Sequence, residues 1–180
     1  TRMKRKAVFI INLKSGTSDK AAIPDIIAST LDRDKFDYEI AITQYAGHAS
    51  EIAEKAKNNG VDVVVAVGGD GTVNEVARAI VHSNTALGII PCGSGNGLAR
   101  HLLIPINARK AIEIINTCEI RDLDYGIINN YPFFFTCGMV FDAFLSMKFA
   151  EAGKRGPITY VENVLREGLK YKPETYTIQD

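Results

Sequence analysis

The segment Val61–Val76 places a nearly continuous run of β-branched residues directly before a glycine-rich loop and the start of a helix. The run from Val63 to Val67 predicts a strand buried on both faces, as in a parallel sheet covered by helices. The loop Gly68–Thr72 holds three glycines around Asp70. Glycines let phosphate oxygens approach the backbone amides, and a carboxylate beside phosphates requires a cation between them. The segment therefore predicts a Mg-nucleotide site.

A simpler interpretation of the same loop needs no ligand. Asp70 or Thr72 would cap the following helix, and the glycines would serve only a tight turn. Three glycines in four positions exceed what a cap requires, so phosphate binding is the favoured interpretation.

The segment Ala86–Leu103 repeats this arrangement, with an apolar strand, the loop Cys92–Gly97 and a helical start that carries Arg100. If both strands lie in one parallel sheet, both loops emerge at the same edge and face a single ligand. The Arg100 guanidinium is then placed to bind phosphate oxygens. The alternatives are a solvated Arg100, and a loop in which Ser94 and Asn96 merely stabilise the turn.

Regular alternation of strands and helices predicts a three-layer α/β domain with a parallel sheet over residues 1–121. Beyond residue 121 the pattern favours strands, which predicts a second, β-rich domain over residues 122–180. The last predicted strand has no successor to pair with, so we expect the chain to be a piece of a longer protein that could associate edge to edge as a homodimer. The predicted elements are strands at Ala7–Asn12 and Tyr38–Thr43, helices at Lys20–Leu31 and Ser50–Lys57, a strand and helix within each of Val61–Ile80 and Ala86–Leu103, a helix at Ala108–Thr117, strands at Asp122–Ile128, Tyr131–Cys137 and Glu174–Asp180, and a helix at Pro157–Lys170.

Composition limits the possible partners and the compartment. The 180 residues carry 21 basic and 21 acidic side chains, and this zero net charge gives no reason to expect nucleic acid as the main partner. The three cysteines lack the paired spacing of a zinc site, which favours a reducing cytoplasm. Since no apolar run reaches the ~18 residues of a membrane span, we expect any membrane contact to be peripheral.

Five blocks of this sequence, in their order, resemble the diacylglycerol kinase catalytic domain family, which includes bacterial lipid kinases and sphingosine kinases. NAD kinases and phosphofructokinases share the aspartate-glycine loop, but the second glycine loop ending in Leu-Ala-Arg separates the lipid kinases from them. The five blocks are Asn12–Gly16, Gly47–Ala49, Gly68–Glu75, Gly93–Arg100 and Gly138–Ala143.

The resemblance implies an ATP-binding α/β domain followed by a β-sandwich, with Mg²⁺-dependent transfer of the ATP γ-phosphate to a lipid hydroxyl at a membrane surface. Asp70 would organise Mg²⁺ indirectly together with the γ-phosphate, or take the proton of the substrate hydroxyl. Asp142 resembles the aspartate that contacts the lipid head group, although a turn-capping role for it is equally open. The residues expected to bind the nucleotide are Asn12, Ser15, Gly16, Thr43, Gly68, Gly69, Gly71, Thr72, Gly93, Ser94, Gly95, Asn96 and Arg100.

Two departures from the family pattern matter. Leu13 stands where the family usually has a proline in the first loop. A catalytic glutamate proposed near the end of the second domain in bacterial members has no counterpart here, so we expect the chain alone to bind nucleotide without turnover. A kinase of a soluble substrate such as NAD, and a non-catalytic nucleotide-binding module, remain the alternative functions.

Overall fold

The computed structural model describes residues 3–13 and 20–135. Ser15, Gly16, Asp142 and the elements predicted beyond residue 135 lie outside the described residues. In chain order the elements are β1 (Arg5–Ile11), α1 (Ile23–Thr30), β2 (Phe36–Ile42), α2 (His48–Asn58), β3 (Val63–Gly68), α3 (Asp70–Ile80), β4 (Ala86–Pro91), α4 (Gly97–His101), α5 (Ala108–Thr117), β5 (Gly126–Ile128) and β6 (Tyr131–Phe133).

The first four strands form one parallel sheet in the order β2-β1-β3-β4. Ile11, at the end of β1, is in register with Ile42 of β2 and with Val67 of β3, and Gly68 is in register with Pro91 of β4. All four strands therefore end at one edge of the sheet, as the βα alternation predicted. The chain passes from β1 outward to β2 and then across to β3, so the strand order reverses between β1 and β3. Ligands of open α/β sheets bind at the carboxyl ends of the strands, at such a reversal.

Two apolar clusters cover the two faces of this sheet. Alternate residues of β1 and β3 point to opposite faces, which is why β3 is apolar throughout and β1 is apolar from Ala7 onward. One cluster packs the sheet against α1 and α5 and includes Phe9, Val65 and Ile112, all fully buried. The other packs it against α2 and α3 and includes Ile10, Val64 and Val76. The predicted three-layer parallel architecture is confirmed by these described elements.

Helix α1 begins at Ile23, three residues later than predicted from the sequence. Pro24 occupies the first helical turn. A proline has no N–H to donate to the carbonyl four residues earlier, so a helix that already included Lys20 would lose this bond and clash with the proline ring. By contrast, the end of α2 follows its prediction, because Gly60 adopts a left-handed φ of +69° just beyond the helix.

The strands predicted at Asp122–Ile128 and Tyr131–Cys137 are observed as the short antiparallel pair β5–β6, which has only three residues in each strand. Asn129 and Asn130 make the turn with φ values of 49° and 65°, a pair of left-handed residues that suits a two-residue hairpin. The Arg78 Nε of α3 donates to the Pro132 carbonyl at 3.1 Å and ties the hairpin to α3. The domain boundary after residue 121 and the β-sandwich stay predictions. Within the described part of the chain, no helix has both the length and the apolar character needed to cross a membrane.

Candidate functional site

Backbone hydrogen bonds extend the sheet past the last residue of three strands and fix the start of each loop. The Asn12 N–H donates to the Val67 carbonyl at 3.1 Å, the Thr43 N–H to the Ile11 carbonyl at 2.9 Å, and the Cys92 N–H to the Gly68 carbonyl at 2.8 Å. The structure therefore brings Asn12, Thr43 and both glycine loops together at one edge. The expectation that the two loops share an edge is confirmed.

The first loop turns directly into α3 without a side-chain cap. Gly69 is the N-cap residue, and Asp70 and Thr72 already lie in the first helical turn. The interpretation in which Asp70 or Thr72 caps α3 is therefore wrong. Thr72 is buried instead, and its hydroxyl accepts a hydrogen bond from the Asn12 Nδ2 at 3.2 Å. This bond spans the reversal between β1 and β3.

The Asp70 carboxylate links the first glycine loop to the second. One oxygen accepts the Asn96 N–H at 2.9 Å, and the other accepts the Gly97 N–H at 2.6 Å. These are first-turn amides of α4, which have no helical partner of their own. Asp70 thus caps a helix that begins 27 residues later in the chain. Charge-assisted bonds of this kind are about twice as strong as neutral ones.

Close backbone contact explains several of the glycines. A Cβ added to Gly93 would lie 2.5 Å from the Gly69 Cα, and one added to Gly95 would lie 2.6 Å from an Asp70 oxygen. Neither distance is tolerable, so only glycine lets the two loops approach and lets Asp70 reach the α4 amides. A Cβ on Gly68 would likewise lie 2.5 Å from the Thr72 hydroxyl oxygen.

Gly71 is different, because nothing in the described part of the chain requires a glycine there. It is exposed, and an added Cβ would have no described heavy atom within 4 Å. Its backbone is helical rather than left-handed. A glycine in a helix costs roughly 0.5–1 kcal/mol relative to alanine. The described contacts therefore give no packing reason for a glycine at position 71.

The Asn96 carboxamide is used inside the second loop. Its Oδ1 accepts the Gly93 N–H at 2.8 Å, and its Nδ2 donates to the Gly93 carbonyl at 2.7 Å. Asn96 is buried and has a left-handed φ of 56°. Its side chain thus stabilises the turn, which was the alternative considered from the sequence. Ser94 is exposed, and its hydroxyl bonds to no other described residue.

Arg100 lies on the exposed side of α4. Its Nε donates to the Gly95 carbonyl at 2.8 Å, which holds the outer part of the second loop. Neither terminal Nη group has a partner among the described residues, and Arg100 as a whole is exposed. The guanidinium is neither buried nor merely solvated, because its Nε fixes the loop.

Comparisons with known proteins show the family to which this chain belongs. The profile of the diacylglycerol kinase catalytic domain family matches residues 6–128, which is more than half of the chain. The chain belongs to this family. Over 134 residues it is 33% identical to a Staphylococcus saprophyticus protein named diacylglycerol kinase, covering 73% of this chain and 44% of that protein. A Staphylococcus aureus protein of the same name is 34% identical over 134 residues, covering 73% of this chain and 42% of that protein. The chain therefore spans less than half the length of these relatives.

A solved structure of a Bacillus anthracis protein titled a diacylglycerol kinase has the same fold. It aligns with a TM-score of 0.62 and 26% sequence identity, over 74% of this chain and 49% of that protein. The four-stranded parallel sheet and its flanking helices are thus a fold that the family shares.

The loop after β2 carries the histidine of the Gly47–Ala49 block. The Gln44 N–H donates to the His48 Nδ1 at 3.1 Å, and the Tyr45 ring stacks on the His48 ring with centroids 4.5 Å apart. The Tyr45 hydroxyl donates to Glu51 at 2.8 Å, and this bond to a carboxylate raises the pKa of Tyr45. His48 is the first residue of α2, and its side chain accepts a backbone N–H of the preceding loop and so helps to fix that loop.

Lys20 is a feature of this edge that the sequence argument missed. It is only 4% exposed, and its Nζ donates to the Asn12 carbonyl at 2.5 Å. Burial raises the pKa of the Cys92 thiol, and the positive charge of Lys20 opposes that rise. Lys20 stands in a polar stretch of sequence, so no local pattern distinguishes it from a solvated lysine. It was found only because the fold buries it beside β1.

Proposed function

We propose that this chain is the nucleotide-binding part of an ATP-dependent lipid kinase, which transfers the γ-phosphate of ATP to a lipid hydroxyl. The observation that carries the proposal is the pair of glycine loops at one sheet edge, joined by Asp70. Family membership supports the kinase class. Because the relatives are named diacylglycerol kinase, diacylglycerol is the first substrate to test.

The triphosphate would lie against the start of α3. The first-turn amides of Asp70, Gly71 and Thr72 have no side-chain cap. The N-terminus of this 11-residue helix favours negative charge. Gly71 leaves room for phosphate oxygens to reach these amides. The Nη groups of Arg100 would supply donors from the opposite loop. The positive groups and amides would thus surround the phosphates from two sides.

The site fits a metal that is held mainly by the nucleotide. Within the described residues, no group of three or more His, Cys, Asp or Glu side chains is placed to hold a metal ion. Asp70 retains one lone pair on each oxygen after accepting the two amides. It would hold Mg²⁺ through water, as Mg²⁺ keeps several waters in most phosphate sites. When bound, the ion would neutralise charge on the phosphate oxygens.

The first role of Asp70 would be to position the two glycine loops relative to each other. Phosphoryl transfer depends mostly on alignment and charge neutralisation, and early deprotonation of the acceptor contributes little. By fixing the second loop relative to α3, Asp70 would hold the two halves of the phosphate site at one spacing. Removing the proton of the lipid hydroxyl would be a second role of the same carboxylate.

The lipid would be met at a membrane surface on the cytoplasmic side, without a spanning segment. Asp142 is the proposed contact for the lipid head group, and this assignment rests on the sequence block Gly138–Ala143 alone. A homodimer formed along an open strand edge is a further proposal, which sedimentation velocity of the purified protein would test.

The deciding experiment is transfer of label from γ-labelled ATP by the product of the complete gene, assayed against a panel of lipids and NAD, with and without Mg²⁺. Mg²⁺-dependent label in the organic phase supports a lipid kinase, and the panel identifies the lipid. Label in a soluble product would assign a soluble substrate instead. ATP binding without transfer to any acceptor would leave only a nucleotide-binding module and overturn the proposal.

A further inference from the structure

Helix α4 ends in a turn that normally requires glycine. The Leu103 N–H donates to the Arg100 carbonyl at 3.1 Å, and the Ile104 N–H donates to the Ala99 carbonyl at 2.8 Å. This pair of bonds defines a Schellman motif, in which the residue at the position of Leu103 adopts a left-handed conformation and is usually glycine. Leu103 adopts it with a φ of 57°. The Cβ atom of leucine makes this conformation unfavourable.

The Leu103 side chain buries little surface against the described fold. Leu103 is 86% exposed, and its neighbours Ile106 and Leu102 are 49% and 40% exposed. We call these three residues the leucine tip. Glycine would satisfy the turn with less strain, and a polar residue would suit solvent better. A strained and exposed leucine indicates a contact outside the described part of the chain.

The sequence around the leucine tip is rich in basic residues, although the whole chain is neutral. Between Glu75 and Glu113 the sequence has no acidic residue and four basic ones, of which Arg100, Arg109 and Lys110 lie within seven positions of Leu103. All three of these are exposed. Aliphatic side chains flanked by positive charge are suited to an anionic lipid surface.

The leucine tip lies toward the edge of the sheet that carries the glycine loops. The Arg5 Nη1, at the start of β1, donates to the Cys118 carbonyl at 3.2 Å, so the end of α5 lies at the opposite, amino edge. The start of α5 and the loop before it therefore lie toward the carboxyl edge. At the other end of α4, the Gly97 N–H bonds to Asp70. The leucine tip and the phosphate site thus belong to the same side of the domain.

We propose that the leucine tip inserts into the surface of an anionic phospholipid bilayer. This inference rests on the proposed function, because it names the surface on which a lipid substrate would be met. Bilayer binding would place the edge with the glycine loops next to the membrane, where the acceptor hydroxyl is found.

The absence of tryptophan from the chain makes a direct test possible. We expect the single tryptophan of Leu103→Trp to shift its emission to shorter wavelength when vesicles of phosphatidylcholine with phosphatidylglycerol are added. Vesicles of phosphatidylcholine alone should shift it little, and added salt should weaken the effect. The matched control is Ile120→Trp, which replaces an exposed isoleucine (61% exposed) near the amino edge and should not respond.

Four results would overturn the proposal. A short-wavelength emission before vesicles are added would mean that another part of the chain or a second copy already covers the tip. No response to anionic vesicles would exclude insertion. Equal responses of Leu103→Trp to both vesicle types would exclude a preference for an anionic surface. An equal response from Ile120→Trp would exclude specific insertion of the leucine tip.

A second variant separates this inference from the proposed function. Leu103→Asn keeps a residue that tolerates the left-handed turn and removes the apolar side chain. We expect its partition onto anionic vesicles to fall about tenfold, which is the effect of losing one partly inserted leucine. Transfer to a short-chain, monomeric diacylglycerol should be unchanged. Wild-type binding to vesicles without transfer to any lipid would overturn the proposed function alone, whereas transfer with unchanged vesicle partition in Leu103→Asn would overturn the leucine tip alone.

Discussion

Replacing Gly71 by alanine should stabilise the fold and weaken the binding of ATP. The added Cβ meets no described atom within 4 Å, and the helical backbone accepts it without strain. Removing a helical glycine stabilises a protein by about 0.5–1 kcal/mol. For a chain of 180 residues this corresponds to a rise in Tm of about 1–4 °C. Thermal unfolding without ligand measures it.

The same methyl group would stand where phosphate oxygens approach the first-turn amides of α3. Losing one hydrogen bond to a charged group costs about 1.5–3 kcal/mol, so ATP should bind tenfold or more weakly. Titration calorimetry with Mg-ATP measures this change. A Gly71→Ala protein that binds ATP as the wild type does, or that unfolds at lower temperature, would refute the placement of the phosphates above this residue.

Gly60→Ala is the matched control. Its Cβ also meets no described atom within 4 Å, but its φ of +69° is strained for alanine. It precedes β3 and therefore lies at the amino edge, away from the loops. We expect the variant to be destabilised by about 1–2 kcal/mol, which lowers its Tm, and to bind ATP with unchanged affinity.

Three further predictions test the loops. In the complete protein, Asp70→Asn should lower kcat far more than it changes the affinity for ATP, because one oxygen that accepts an α4 amide is lost; unchanged turnover would remove Asp70 from the reaction. Gly93→Ala should destabilise the chain by more than about 2 kcal/mol in urea unfolding, because its Cβ would lie 2.5 Å from backbone, whereas Ser94→Ala at an exposed neighbour should have little effect. Iodoacetamide should label Cys118 before Cys92 at neutral pH, since burial raises the pKa of the Cys92 thiol. The folded state keeps this thiol protonated to a higher pH than the unfolded state does. The contribution of Cys92 to the stability of the fold is therefore fully present below pH 9.0 and is lost as the pH rises above it.

The parallel sheet could be predicted because its signals are local. The β-branched run at Val63–Val67 and the glycine loop directly after it occupy consecutive positions, so the spacing alone indicates a buried strand and a turn. Alternating strands and helices then require parallel neighbours, and parallel neighbours require loops at one edge. The late start of α1 was also present in the sequence, because Pro24 excludes an earlier one.

The hydrogen bonds within the site could not be predicted from the sequence, for a different reason. The partners of Asp70 are backbone amides of Asn96 and Gly97, and backbone amides have no signature in the sequence. The separate roles of the glycines are hidden in the same way. Gly69 and Gly71 look equivalent in sequence, yet Gly69 packs against the Gly93 backbone, whereas a Cβ on Gly71 would meet no described atom within 4 Å. Only the relative placement of the two loops distinguishes packing from ligand binding.

The position of Asp70 changes the reason for expecting a cation. A carboxylate beside phosphates suggested Mg²⁺ because its charge had no other visible compensation. In the structure, the backbone N–H groups of Asn96 and Gly97 donate to the two oxygens of this carboxylate and stabilise its negative charge without neutralising it. The negative charge of the bound phosphates, rather than that of Asp70, is therefore the main reason to expect Mg²⁺. It follows that Mg²⁺ should bind to this site only together with the nucleotide. Calorimetry should detect no binding of Mg²⁺ to the chain alone, and a tight metal site without ATP would contradict this account of the loop.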